Sequence, residues 1–575
     1  MRRWAQLGLL ALAACSGGKD SVEEQQHEEC DGVEAGALPE QAQRSPFDIQ
    51  RAQATEGREA VLVRYRAKGR VSAAAVQRLG GQVKAQYHLV PAVAARVTPE
   101  ERARLAADPD VESIEPDVEV HALGMPVAAG SVDEYTDAVR MVQAPKVWDA
   151  NEDGVLDTGA PTGAGIRVCI IDSGLDRRHP ELAIPYAAGH DFVDNDEDPS
   201  DETNGVRGIG HGTHVAGIIA AQLGSGGASW PNMSRGGMVG VAPGAELLIA
   251  RVLNVHETAS ISDVLSGLEW CQSQGANIAS LSLGTSMDMG RTARDAFQAA
   301  RDGGMLIVAA AGNDSEVGHE APLSFPAAYP SVLAVGAVDT GGQLAFFSNR
   351  GAGLSLVAPG ANVYSTISMQ GATTPDIEAG GQHFTSRSLL FAPAGDFTGE
   401  LIDCGQGESG ACKGGTCAGF VAYVRLSDTY RLNAIAQNVM KQGARAIIFG
   451  IEKSETEPWL IGLDGPGRKW VPTVAVGRES RAAVLQTLGQ QVHVNLRGVD
   501  YAWFPGTSMA TPHVTGVAAL VWSARPSMTA TEVRTVLEST AKDLGESGHD
   551  PRYGYGLVQA KAALDALPPV QAPAP

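Results

Sequence analysis

From Gly165 onward, short apolar runs with little alternation recur between stretches of helical period. The apolar runs are Val168–Ile171, Leu247–Val252, Ile278–Leu283, Met305–Ala310 and Val332–Val338. The helical stretches are His211–Gln222, Ile261–Gln274, Thr292–Asp302, Ser508–Ala524 and Ala530–Ala541. Strands apolar on both faces must be covered on both, so the pattern predicts a mostly parallel sheet between two helix layers, an α/β/α architecture. Ligand-facing residues of such a sheet lie where strands end and helices begin. Asp172 ends the first strand, and His211 and Ser508 each open a helix.

Two other patterns flank and interrupt this one. Residues 58–123 read as strand (Val61–Tyr65), helix (Val71–Leu79), two strands around Pro91, helix (Thr98–Ala107) and a closing strand (Val111–Val120), a compact α+β unit. After Val363–Thr366 about 130 residues intervene before Trp503–Ser508, with their own strands (Ala444–Gly450, Val471–Val476) and helices (Tyr430–Gln442, Glu479–Leu488). Residues 16–56, rich in Glu, Gln, Ala and Gly, carry no apolar periodicity and read as a solvated tether.

With 575 residues the chain holds several domains, and 44% hydrophobic content suffices for large cores. A net charge of −22 argues against nucleic-acid binding, which needs basic surfaces. Met1-Arg2-Arg3 followed by apolar Trp4–Ala11 reads as an export signal too short to span a bilayer permanently. Leu12-Ala13-Ala14-Cys15 then resembles a bacterial lipobox, in which the Cys is lipidated; an ordinary signal peptide cut near Ala13 or Ala14 is the alternative. Ser16 gives no sign of inner-membrane retention, which points to the outer membrane or cell surface. The seven cysteines are too few to hold the fold. Cys404, Cys412 and Cys417 could supply one bridge, and Cys169 and Cys271 read as buried small hydrophobes.

Three distant segments carry the chemistry: Ile170-Ile171-Asp172-Ser173-Gly174, Gly210-His211-Gly212-Thr213-His214 and Gly506-Thr507-Ser508-Met509-Ala510-Thr511-Pro512-His513. A serine hydroxyl attacks only when a base takes its proton, and a carboxylate must fix that base's tautomer. The motifs, in the order Asp, His, Ser, closely resemble the subtilisin-like serine proteases. The resemblance makes Ser508 the nucleophile, His211 the general base, Asp172 its orienting carboxylate and Asn313, in Ala309-Ala310-Ala311-Gly312-Asn313, the oxyanion-hole side chain. By the same resemblance His214 and His513 support the fold, Ser282-Leu283-Gly284 pairs with substrate backbone, and Ser324 lies at the floor of the main specificity pocket.

The resemblance extends beyond the motifs. The unit ending at Glu115-Pro116-Asp117 resembles the inhibitory propeptides of that family, with a small independent domain as the alternative. Alignment of its end puts self-cleavage after Leu123. The insert looks like a protease-associated (PA) domain, carried mainly by its Gly-Ala turn and Pro-Thr-Val strand.

The expected organisation is a lipoprotein signal peptide (1–15), linker (16–56), inhibitory ferredoxin-like propeptide (57–123), catalytic domain in two parts (124–365 and 501–568) and a PA insert (366–500). The expected fold is subtilisin-like α/β/α. Val120 and Leu123 suggest a large hydrophobic residue before the cut and another apolar residue three positions earlier, while Asp314 at the pocket rim could admit basic side chains.

Asp149, Asn151, Asp153 and Asp157, with Gly154, follow the oxygen spacing of an EF-hand calcium loop, although Ala160 stands where the bidentate Glu belongs. A structural calcium or a polar surface turn both fit. Asp194, Asp196, Asp198 and Asp201 form a second acidic loop.

The expected protein is a secreted serine endopeptidase acting on proteins or peptides, inhibited by its own propeptide and held to a membrane only by lipid before cleavage frees it. A catalytically silent binding protein and an enzyme confined to one protein substrate are the rival readings.

Overall fold

The computed structural model describes residues 57–568 apart from 68–70, 123–133, 204–205, 208–209, 225–236, 370, 390, 427–431, 452–462 and 464–469. The signal, lipobox and tether expected over 1–56, and Leu123 itself, lie outside the described residues. None of the described helices is long and apolar enough to cross a membrane.

The α+β unit comprises β1 (Glu59–Tyr65), α1 (Ala73–Arg78), β2 (Gln82–Gln86), β3 (Ala92–Val97), α2 (Pro99–Ala106) and β4 (Val111–Pro116). Its sheet has the order β2-β3-β1-β4, a ferredoxin-like arrangement. Helix α2 starts at a capping box: Glu101 N–H donates to Thr98 Oγ1 at 3.3 Å and Thr98 N–H to Glu101 Oε2 at 3.0 Å. The closing strand expected over Val111–Val120 is broken. Pro116 has no N–H to continue the ladder, and the chain resumes pairing as β5 (Glu119–Ala122), away from this sheet.

The main sheet contains β6 (Arg167–Asp172), β7 (Tyr186–Asp191), β8 (Glu246–Arg251), β10 (Ile278–Leu281), β12 (Leu306–Ala310), β13 (Leu333–Val338) and β14 (Leu354–Pro359). Its order is β14-β13-β12-β10-β6-β8-β7, all in parallel register, for example Val168 opposite both Leu247 and Ile278. Alternate side chains serve opposite cores. Val168, Ile170, Leu247 and Ile249 pack on one face with Met509, Val514 and Val517 of helix α7 (Thr507–Ala524). Cys169, Ile171, Leu248 and Ala250 pack on the other with Leu265 and Leu268 of α4 (Ile261–Ser273) and Ala293 and Phe297 of α5 (Gly290–Asp302). This double burial explains the near-continuous apolar runs. Helix α3 (His211–Ala220) lies on the α7 side and is buried throughout.

The expected strand Ile278–Leu283 divides into β10 and a separate β11 (Leu283–Gly284). Ser282 between them is turned toward the start of α7: its Oγ donates to the Ser508 carbonyl at 2.7 Å.

The insert leaves and re-enters through the antiparallel pair β15 (Val363–Thr366) and β22 (Tyr501–Phe504), whose register sets Thr366 beside Tyr501. Between them an eight-stranded mixed sheet includes β16 (Ala372–Ala379), β17 (Gly395–Asp403), β18 (Phe420–Leu426), β19 (Ala444–Ile451), β20 (Thr473–Val476) and β21 (Gln491–Val499). Helix α6 (Leu432–Lys441) covers it, and Val421, Ile447, Ile448 and Val494 lie in a core of its own.

Two disulfides change the sequence-based picture. Cys169 and Cys271 are buried as expected but are bonded to each other, tying β6 to α4 across 102 residues of chain. Within the Gly-rich stretch Cys404 pairs with Cys412, and Cys417 is also disulfide-bonded.

Candidate active site

Asp172 is the last residue of β6 and His211 the first of α3. His211 Nδ1–H donates to Asp172 Oδ1 at 2.8 Å, and both side chains are wholly buried. The small residues of the motif make this approach possible. A Cβ on Gly212 would come within 2.3 Å of the Gly174 carbonyl and 3.2 Å of Asp172 Oδ1. Ser173 Oγ accepts the Gly212 N–H at 2.9 Å, and Asp172 Oδ1 also accepts the Ser173 N–H at 2.7 Å. The carboxylate is thus held by two donors.

Ser508, in the first turn of α7, donates its Oγ–H to the Ser282 carbonyl at 2.8 Å. His211 Nε2 has no hydrogen-bond partner among the described residues, so the serine–histidine link is the one contact of the expected set not made. Ser282 directly follows β10, which is paired with β6, and Asp172 ends β6, so both lie at the carboxyl end of the sheet. Phe504, four residues before Ser508, has its ring 6.4 Å from that of His211.

Asn313 follows β12 and reaches the same helix start. Its Oδ1 accepts the Thr507 N–H at 3.0 Å and the Thr507 hydroxyl at 2.9 Å. These two contacts hold the Asn313 carboxamide at the positive end of α7. Gly312, at φ +112°, is required here: a Cβ would strike Asn349 Nδ2 at 2.2 Å and Ser324 Oγ at 2.3 Å.

The remaining histidines of the motifs sit in different surroundings. His214 Nε2 donates to the Ala502 carbonyl at 3.1 Å, and its ring stacks on Phe504 at 4.1 Å. Burial pushes it down to about 3 and His513 down to about 4, so both stay neutral and neither is poised to carry a proton near neutrality. Asp201, wholly buried close by, is pushed up to about 7, chiefly by burial, with the Arg251 charge opposing and the Asp172 charge adding to the rise.

Leu283 and Gly284 form the edge strand β11, and β5 pairs with it antiparallel, Leu283 opposite Ala122 and Gly284 opposite His121. On its other side β5 pairs with β9 (Thr258–Ser260). The tail of the α+β unit is therefore the middle strand of a three-stranded sheet, with Val120 completely buried. The same unit caps two helices of the catalytic domain. Asp117 accepts the Ser262 N–H at 2.8 Å at the start of α4, and Glu115 accepts the Thr292 N–H at 2.9 Å near the start of α5. Each places a carboxylate at a positive helix end.

Ser324 is buried, its Oγ 3.4 Å from Asp314 Oδ2 and 3.3 Å from Asn349 Nδ2. Asn349, which sequence reasoning missed, also donates to Asp314 Oδ2 at 2.8 Å and accepts the Asp314 N–H at 2.8 Å. It lies 36 positions from Asn313 in a segment with no motif, so only the fold could reveal it. Asp314 is thus already engaged with Ser324 and Asn349.

The EF-hand-like spacing does not bring the Asp149, Asp153 and Asp157 oxygens together within 4.8 Å. Asp149 is buried and accepts from Tyr135 Oη and from the N–H groups of Asp153 at 3.1 Å and Gly154 at 2.9 Å. Asp157 accepts the Ala150 N–H at 3.0 Å, Asp153 the Val155 N–H at 2.9 Å, and Asn151 donates to Asp153 at 2.9 Å. These contacts build a hydrogen-bonded polar turn, and Asp149, Asp153 and Asp157 do not form a set of ligand atoms within 4.8 Å of one another. In the second acidic loop Asp194 faces Arg251 at 3.2 Å and Asp198 faces Arg177 at 2.8 Å. Among the described residues, the one set of three His, Cys, Asp or Glu ligand atoms within 4.8 Å of one another is Asp172, His211 and Glu257.

The sequence matches the subtilase family profile over residues 163–388 and 459–556, and the peptidase inhibitor I9 profile over 48–123. The chain belongs to the subtilase family and carries an I9-type propeptide. It is 37% identical over 281 residues to the M-protease of Shouchella clausii (strain KSM-K16), covering 49% of this chain and 63% of that protein's length. To subtilisin E of Bacillus subtilis (strain 168) it is 27% identical over 485 residues, 84% of this chain and 83% of that protein. Fervidolysin from Fervidobacterium pennivorans shares the fold, with a TM-score of 0.53 at 22% identity, covering 89% of this chain and 62% of that one.

Proposed function

We propose that this chain is a serine endopeptidase, made as a self-processing zymogen, in which Asp172, His211, Ser508 and Asn313 carry the reaction. The observation that bears most weight is the buried Asp172–His211 bond at the sheet end where Ser508 opens α7. A peptide strand of the chain's own propeptide lies beside that site.

The chemistry follows from the geometry. Ser508 Oγ turns about χ1 from the Ser282 carbonyl toward His211 Nε2, a hop between staggered rotamers. His211 accepts the hydroxyl proton as the oxygen attacks the substrate carbonyl, and Asp172 stabilises the imidazolium through Nδ1–H. The developing oxyanion meets the Asn313 amide and the N–H groups at the α7 start. His211 then delivers the proton to the leaving amine, and water repeats the sequence on the acyl-enzyme. Substrate backbone pairs with Leu283–Gly284 in the place of β5, and Ser324 floors the pocket for a large hydrophobic side chain before the cut.

Asn313→Ala is expected to lower kcat about 10²–10³-fold on peptides with Leu or Phe before the cut, a magnitude known from the corresponding donor of subtilisin itself. KM should change little. A change in KM alone, or a wild-type library profile with strict acidic preference, would count against this assignment.

We read residues 366–500 as a PA-type insert that governs access of protein substrates rather than the chemistry. Its separate core and the adjacency of Thr366 and Tyr501 support that reading. Joining residues 369 and 500 through a short Gly-Ser linker should keep peptide hydrolysis within about tenfold, since the ends already lie side by side. Loss of all peptide hydrolysis in a folded, processed product would make the insert part of the active site instead. The disulfides, including the buried Cys169–Cys271 bridge, support export to an oxidising compartment. Lipidation of Cys15 belongs to the same reading.

A further inference from the structure

We propose that Glu257 makes this protease select a basic side chain at the residue just before the one that precedes the cut. The inference rests on the proposed peptidase reading and adds a specificity determinant to it.

Four observations carry it. The loop between β8 and β9 is a tight turn built by Asn254, whose Oδ1 accepts the His256 N–H at 2.8 Å and whose Nδ2 donates to Thr258 Oγ1 at 3.0 Å. Within it Glu257 has φ +58°, a left-handed conformation that favours Gly or Asn and costs a long side chain stability. A residue held in such a conformation near a reactive site is a pointer to function.

Second, the side chain is aimed at the chemistry. One carboxylate oxygen lies within 4.8 Å of ligand atoms of both Asp172 and His211, and both Glu257 oxygens are buried.

Third, a peptide occupies the place where a substrate would meet this residue. Ala122 N–H donates to the Glu257 carbonyl at 3.0 Å, while Ala122 pairs with Leu283 on its other side. With cleavage after Leu123, Ala122 is the next-to-last residue before the cut. Its methyl group is too short to engage a carboxylate, whereas a Lys or Arg there has the length and charge to do so.

Fourth, the surroundings are already rich in negative charge. Asp172 is buried beside His211 with Asp201 close by, and the buried cation near them, Arg251, is already paired with Asp191 and Asp194. A substrate cation brought into this partly desolvated region gains more than it would in water. An acidic side chain is repelled, which sharpens the choice.

The test uses the full, self-processed enzyme and three peptides of equal length, each with Leu before the cut and Ala, Lys or Glu preceding that Leu. The wild type is expected to show kcat/KM about tenfold higher for the Lys than for the Ala peptide, and lower still for Glu. The Lys advantage should shrink with added salt. In Glu257→Gln the Lys-to-Ala ratio should fall to about one, and Glu257→Lys should invert the order toward the Glu peptide. A variant that merely disturbs the active site, or shifts the pH profile through His211, lowers all three rates together and leaves the ratio unchanged. A wild-type ratio near one, or a ratio preserved in Glu257→Gln, overturns the inference while leaving the peptidase reading intact. Hydrolysis of none of the peptides overturns both.

Discussion

Ser508→Ala is expected to accumulate as a precursor that keeps residues 57–123, with no detectable hydrolysis of casein or of a Leu-containing peptide. Loss of the corresponding serine in subtilisin costs about 10⁶-fold in kcat, and that order of magnitude is carried here. Self-cleavage and external hydrolysis use the same hydroxyl, so both must fail together. The fold should not suffer: the lost group bonds only to the Ser282 carbonyl at 2.8 Å among the described residues, and a small side chain remains in a tightly packed helix start. The clean readout is the N-terminus of the purified protein by mass spectrometry, alongside peptide turnover. Grown with labelled palmitate, the same precursor should carry the label at Cys15. A Ser508→Ala chain that still trims its propeptide would remove the nucleophile assignment, and an unlabelled precursor would remove the lipid anchor.

Removing the Cys169–Cys271 bridge is the second large expectation. It closes a 102-residue loop between β6 and α4. Cross-linking a loop of that length constrains the unfolded chain by about 4–5 kcal/mol in the chain-entropy view. The Cys169→Ala/Cys271→Ala pair, made in the Ser508→Ala background to prevent self-digestion, should therefore lose about that much stability in guanidinium unfolding. The same bridge anchors α4, whose Ser262 N–H donates to Asp117 of the propeptide, and β6, which ends at Asp172. Propeptide affinity is expected to fall with stability. If the unfolding midpoint stays in place, the bridge does not form in the exported protein.

Much of this protein is legible from its residues because the relevant signals are local. The unbroken apolarity of Val168–Ile171 and Leu247–Val252 required two covering layers, and side chains do divide between two cores, Val168 and Ile170 on one side, Cys169 and Ile171 on the other. The motif around Asp172, His211 and Asn313 likewise encodes a short-range demand for small neighbours, as Gly212 and Gly312 show. Other features escaped for equally physical reasons. The new pairing of the propeptide strand as β5 and the division of β10 from β11 at Ser282 depend on partners more than a hundred residues away. The EF-hand-like spacing at Asp149–Asp157 left two readings open because Asp and Asn serve backbone turns as readily as metals.

The sequence by itself determined the layered sheet, the propeptide unit, the inserted segment and the identity of the candidate catalytic side chains. Periodicity and motif chemistry act over a few residues and need no knowledge of distant neighbours. Tertiary structure alone decided which cysteines meet, that Asn349 ties Asp314 to Ser324, and that Glu257 turns toward His211. Those contacts join segments whose separation along the chain carries no periodic signal, so only the packed chain brings them together.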